Sequence, residues 1–249
     1  MYLSGIYSVL ARLLLLRRVQ TTYSYLMEQG VVEVNEIVRQ YRDTGTEPPA
    51  VNGVSLSVEK GEFVGLSGPS GCGKSTLLNI IGLVDAPTRG RVFICGEEIR
   101  YGDEAQAVAL RRHTIGYIFQ QFNLIPTMTA LENVMVPLVL NGRGADARQK
   151  AELLLEKVGI AGKALAYPSE LSGGEMQRVA CARAVIHTPE FVIADEPTGN
   201  LDSSSGKKVL EILRELAHGG TAVIMATHSE SALTYCTRII KMRDGVMVS

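Results

Sequence analysis

The stretch "GPSGCGKST" at residues 68–76 limits what this chain can fold into more than any other nine positions. It fits the pattern G-x-x-x-x-G-K-[ST], with Gly68, Gly73, Lys74 and Ser75 in the fixed places. Glycines let a backbone curl tightly enough for its N–H groups to converge on phosphate oxygens. Such a loop feeds the N-terminus of a helix, whose dipole also favours anions. "EFVGLS" before it reads as a buried strand, and "KSTLLNIIG" after it has helical spacing. The loop Gly68-Pro69-Ser70-Gly71-Cys72-Gly73-Lys74-Ser75-Thr76 therefore suits a nucleoside triphosphate. Lys74 is placed to reach the β- and γ-phosphates, and Ser75 to ligate Mg²⁺. Cys72 is a candidate reactive thiol there, beside a lysine and a helix N-terminus.

"FVIADEP" at 191–197 supplies a second half. Its apolar residues bury a strand, and Asp195 emerges at the C-terminal end, where α/β sheets present ligand groups. Asp195 is a candidate to hold Mg²⁺ through water. Glu196 follows at once: either a general base for an attacking water or a solvated acid at a strand end. "LSGGEMQRVACARA" at 171–184 opens a further helix on a serine-glycine turn, which is either a second anion-binding terminus or an ordinary serine cap.

From Val31 onward the patterning is that of an α/β protein. "VVEVNEIV", "VNGVSLSV" and "RVFICGEEI" read as a small antiparallel sheet beside the first core strand. "TIGYIF" (114–119), "FVIAD" (191–195) and "TAVIMAT" (221–227) read as buried strands. "TALENVMVPLVL" and "ADARQKAELLLEKVGI" are helical with no good strand between them, which makes about 122–172 a helical insert. "SSSGKKVLEILRELAH" is amphipathic, with Val209, Leu210, Leu213 and Leu216 on one face. "TRIIKMRDGVMVS" reads as a closing hairpin around Asp244-Gly245. Apolar strands alternating with amphipathic helices indicate a parallel sheet covered on both faces.

Composition narrows the function classes. Lys+Arg is 25 against Asp+Glu 26, a net charge of -1, which offers no bulk attraction to nucleic acid. The cysteines (Cys72, Cys95, Cys181, Cys236) are widely separated and read as free thiols of a reducing compartment. No segment reaches the ~18–20 apolar residues of a membrane span. Arginines interrupt the nearest candidate, "IYSVLARLLLLRRVQ". Residues 1–30 are then a membrane-surface helix, a loose tail, or an extension ahead of a true start at Met27.

The order of these motifs resembles the nucleotide-binding subunits of ATP-binding cassette (ABC) transporters, over about residues 31–249. The resemblance rests on 68–76, on Gln120 after a strand, on "LSGGE" (171–175), "ADEPTGNLD" (194–202) and "ATHS" (226–229). "FQQFNLIPTMTALENV" and "ADEPTGNLD" are most similar to the lipoprotein-release and macrolide-export branch, with cell-division subunits nearby. The implied fold is a P-loop NTPase core with a parallel sheet, an N-terminal antiparallel β subdomain and an inserted α-helical subdomain. The implied activity is ATP hydrolysis by a homodimer that drives separate transmembrane permease subunits, at the cytoplasmic face of a membrane and without nucleic acid. By the same resemblance Gln120 senses Mg²⁺ and the attacking water, and His228 contacts the γ-phosphate. Ser172, Gly173 and Gly174 bind the γ-phosphate held by the opposite subunit, and Asp202 crosses the dimer interface. Tyr41 stacks on adenine, its alternative being a strand-edge tyrosine. The apolar run Phe122, Leu124, Ile125, Met128 and Leu131 is either the groove for the permease's cytoplasmic helix or the insert's own core. Two rivals remain: a soluble non-transport ABC ATPase and a small-molecule kinase. "LSGGE" argues against the kinase. Long coiled-coil inserts or tandem cassettes, which would favour a soluble ATPase, are not seen in the sequence. Cys72 stands where serine is common, and "THS" where "THD" is frequent.

Overall fold

The computed structural model describes residues 30–41 and 48–248. The readings of the N-terminal segment fall on residues 1–29, outside the described residues. Among the latter, the chain forms two sheets and three apolar clusters.

The first sheet is antiparallel. It contains β1 (Val32–Arg39), β2 (Val51–Val58), β4 (Arg89–Ile94) and β5 (Glu97–Glu98) in the order β2-β1-β4-β5. Val32 and Val34 alternate inward along β1, as a half-buried strand requires. The register then shifts between Val34 and Ile37 around Glu36, whose φ is 53°. This bulge returns Ile37 to the core face, where it is fully buried.

The second sheet runs β10-β9-β3-β8-β7-β6. β3 (Phe63–Ser67), β6 (Ile115–Ile118), β7 (Phe191–Asp195), β8 (Ala222–Thr227) and β9 (Arg238–Arg243) are parallel; β10 (Val246–Val248) turns back on β9. The closing hairpin is as expected, but β9 also pairs with β3 and so belongs to the main sheet. Helix α1 (Lys74–Ile81) packs on one face with the antiparallel sheet, burying Leu77, Leu78, Ile80 and Ile81. α6 (Ser203–His218) covers the other face through Val209, Leu210, Leu213 and Ala217. Layers on both faces explain why β7 and β8 are apolar almost throughout.

α2 (Glu104–His113) had no expected counterpart. None of its residues is fully buried; Ala107 and Leu110 pack half-buried on the core, too short a stripe to mark a helix, and its signals are the Asp103 cap and Arg111, Arg112 and His113 in its last turn. α3 (Ala130–Leu140) and α4 (Ala147–Lys157) pack against α5 (Gly173–Val185) around a third cluster, including Leu131, Val134, Leu155 and Val179. These helices form the helical subdomain. A short α7 (Glu230–Leu233) follows β8.

Register places the site. Ser67 is level with Thr227, and Asp195 with Ala226, so β3, β7 and β8 end at one edge of the sheet. The loop 68–73, Glu196 and His228 all leave from that edge.

Candidate active site

Gly73 caps α1 with φ 102°, a conformation that side chains resist, and a Cβ there would strike the Ala50 carbonyl oxygen. The tight turn delivers Lys74, which is buried. Its Nζ donates to the carbonyls of Gly68 (2.7 Å) and Pro69 (3.0 Å). Ser75 Oγ donates to Asp195 Oδ1 at 3.1 Å. Burial pushes the Asp195 carboxyl above its ordinary range, with Glu196 adding to the rise while the Ser75 bond and Lys74 oppose it. A desolvated carboxylate beside a hydroxyl is a hard oxygen donor pair of the kind a small divalent cation takes.

Glu196 stands in left-handed backbone, φ 45°, at a non-glycine position. Such a conformation costs about 1–2 kcal/mol and persists where the surroundings impose it. Here its N–H donates to Ala226 O (2.9 Å), and its carbonyl accepts from Gly199 N (3.0 Å). The twist turns the carboxylate towards His228, whose Nδ1 lies 2.9 Å from Glu196 Oε1. A carboxylate only accepts, so Nδ1 is the donor.

Except for Asp195, which is bonded to the lining Ser75, these groups share one cleft of about 270 Å³, lined by Ala50, Ser70, Gly71, Gly73, Lys74, Ser75, Thr76, Gln120, Glu196 and His228. Gln120 thus joins the loop, the acid strand and the histidine. Asn200 Nδ2 donates to the Gln120 carbonyl at 3.1 Å, which ties that residue to the turn after β7.

Tyr41 lies at the margin and is 58% exposed. Its hydroxyl donates to Asp85 Oδ2 (2.9 Å) and sits 3.5 Å from Thr76 Oγ1, while the Arg39 guanidinium covers the ring at 4.6 Å from its centroid. Arg39 also forms a two-pronged pair with Asp85, at 3.0 and 2.7 Å. Asp85 therefore holds both residues next to the start of α1. The sequence offers no local signal for this pairing, since Arg39 and Asp85 are far apart along the chain.

Cys72 points inward. It is 3% exposed, with Sγ 3.8 Å from Lys74 Nζ, so an openly accessible thiol is not what this loop presents.

Ser172, Gly173 and Gly174 are not among the residues lining the cleft. Ser172 caps α5 in a reciprocal box with Glu175: Glu175 N–H donates to its hydroxyl (3.3 Å), and its own N–H donates to Glu175 Oε2 (2.8 Å). A Cβ on Gly174 would collide with Ser205, so glycine is needed for close approach. Asp202 caps α6, accepting from the N–H groups of Ser204 and Ser205 and from the Ser204 hydroxyl.

Residues 51–199 match the family model described as ABC transporter. The chain belongs to the ABC transporter family. It is 46% identical over 219 residues to an uncharacterised ABC transporter ATP-binding protein of Methanocaldococcus jannaschii, covering 88% of this chain and 98% of that one. It is 45% identical to the lipoprotein-releasing system ATP-binding protein LolD of Aquifex aeolicus, over 86% of this chain and 93% of that relative. With the macrolide export ATP-binding/permease protein MacB of Bdellovibrio bacteriovorus it shares 43% identity, but spans only 34% of that longer chain. Among solved structures, the dimeric post-hydrolysis state of an ATP-binding cassette bound to ADP and Pi superposes with a TM-score of 0.81 at 40% identity. That match covers 88% of this chain and 97% of the other. This ABC protein is an ATPase subunit of the LolD/MacB-like branch.

Proposed function

We propose that two copies of this subunit close head-to-tail around two ATP molecules and so drive a separate membrane permease. The observation that carries this reading is the cleft itself. One copy supplies the phosphate loop, a cation pair, a base and a histidine there, while the signature turn 172–174 lies outside it. A second copy completes the site by presenting its own Ser172, Gly173 and Gly174.

Each side chain then has a part. Lys74 exchanges its loop carbonyls for β- and γ-phosphate oxygens. Tyr41 offers a flat face to adenine. Ser75 and Asp195, with Gln120 facing them, would hold Mg²⁺, which supplies charge neutralisation on the phosphates. Glu196 takes the proton of the attacking water, and His228 orients that carboxylate through Nδ1 with its Nε2 edge left for the γ-phosphate.

The permease contact is assigned to the apolar cavity of about 300 Å³ beside α3, whose lining includes Tyr117, Phe119, Val136, Pro137 and Leu140. Of the run first considered, Leu131 is core, whereas Phe122, Leu124, Ile125 and Met128 are half-buried. No helix among the described residues is long and apolar enough to cross a membrane. By its kinship with ATP-binding subunits of permease systems, the subunit is assigned to the cytoplasmic face, held there by its permease. Kinship with LolD and MacB makes export the favoured direction.

Glu196→Gln tests the chemistry. ATP binding is expected to survive and turnover to fall by roughly 10²–10⁴-fold, the usual loss for a general base. Near-normal turnover would refute the assignment.

A further inference from the structure

Arg183 lies near the end of α5, the helix that begins at the signature turn. Its guanidinium donates to two consecutive carbonyls, Nη2 to Phe122 O at 2.8 Å and Nη1 to Asn123 O at 2.6 Å. Both acceptors sit on residues in left-handed backbone, φ 62° and 48°. Phenylalanine resists that conformation strongly. These residues follow Gln120 by two and three positions. Gln177, fully buried on the same helix, donates Nε2 to Phe119 O at 3.3 Å, on the other side of Gln120. The resulting twist lays the Phe122 ring against the signature turn, with its Cζ 3.6 Å from where a Gly173 Cβ would stand.

We propose that Arg183 is a positioning residue for ATP hydrolysis: by clamping Phe122 and Asn123 it holds Gln120 in the cleft of its own subunit and braces the signature turn that serves the other. The inference rests on the proposed roles of Gln120 and the signature turn. Among the described ion pairs Arg183 has no carboxylate partner, and burial lowers its pKa. A partly desolvated cation committed to backbone carbonyls is costly, and its return is geometric: a planar fork fits two adjacent oxygens as an ammonium does not. The clamp gives the occupant of one cleft a mechanical route to the turn that completes its neighbour.

The test uses the full chain and compares Arg183→Lys, Arg183→Lys with Asn123→Gly, and Gln120→Ala. Kd for a fluorescent ATP analogue, kcat and KM, and thermal melting are measured for each. Arg183→Lys is expected to leave Kd unchanged and lower kcat roughly ten- to hundred-fold, the scale of a misplacement of about 1 Å. Glycine takes left-handed backbone without a clamp, so Asn123→Gly is expected to restore part of that kcat. Lost folding alone would instead lower Kd-competent protein, melting temperature and kcat together, with no recovery from Asn123→Gly; that pattern overturns the clamp. Unchanged kcat in Arg183→Lys, with Gln120→Ala impaired, overturns this inference alone. Unchanged kcat in Gln120→Ala overturns the role of Gln120, and with it any role for Arg183 exerted through that residue.

Discussion

Tyr41 and Asp85 show how little of a side chain's role lies in its own neighbourhood of sequence. The tyrosine ring is covered on one side by Arg39 and anchored through its hydroxyl to Asp85, so one broad face is left to solvent near Thr76. If that face stacks on a base, Tyr41→Ala is expected to weaken ATP binding about tenfold, in keeping with ~1–3 kcal/mol per stacked base. Tyr41→Phe keeps the ring and is expected to bind nearly as well as the parent. Equal ATP Kd values for Tyr41→Ala and the parent in a nucleotide titration would make it a strand-edge residue. Cys72 gives a second residue-scale test. Its thiol is buried while Cys95 is exposed, so N-ethylmaleimide is expected to label Cys95 first by peptide mass mapping. Labelling of Cys72 requires the loop to open, and fast modification there would mean that the turn around Lys74 is loose.

At the scale of elements, the part of the chain just before α3 is held by a side chain that has no signal in the sequence pattern. Asn133 is fully buried in α3. Its amide donates to the carbonyls of Ile125, Met128 and Thr129 and accepts from Ile125 N–H, all within 2.7–3.1 Å. Asn133→Ala removes the partner of the Ile125 N–H and of the Met128 carbonyl, and about 2–3 kcal/mol of stability is expected to be lost in chemical denaturation. Helical periodicity ranks an asparagine as a surface residue, which is why the sequence alone did not single it out. Leu140, 62% exposed at the end of α3, is the converse case. Leu140→Asp is expected to leave the melting temperature unchanged and remove co-purification of the permease from solubilised membranes. Retained co-purification would move the coupling surface elsewhere. α6 carries a pH-dependent prediction. Hydrogen bonds from Ser205, and then from Ser204, hold Asp202 well below the usual carboxylate range. The folded state therefore gains from this cap above the ordinary aspartate pKa, and loses it as pH falls towards the depressed value. The gap in melting temperature between parent and Asp202→Ala is expected to be constant near neutrality and to narrow below pH ~4.

For the whole molecule, what was legible in the sequence was whatever rests on local spacing. Buried runs at 115–118, 191–195 and 222–227 became parallel strands because both faces of that sheet are covered. The strand ends bring Lys74, Ser75, Gln120, Glu196 and His228 into one cleft, with Asp195 bonded to Ser75 at its base. α2 escaped notice because none of its residues is fully buried. The second partnership of β9, the left-handed turn at Phe122-Asn123 and the Arg39–Asp85 pair escaped because each is set by a distant partner. Nor does one chain's cleft contain every motif that its sequence carries. The signature turn does not line it, and a second copy gives that turn its role. The direct test is the mass of Glu196→Gln in solution, measured by light scattering with and without ATP, together with bound nucleotide. A monomer that becomes a dimer holding two ATP, and that remains monomeric with ATP bound when Ser172→Arg is added, is the predicted result. A Glu196→Gln chain that binds ATP and stays monomeric would contradict the account.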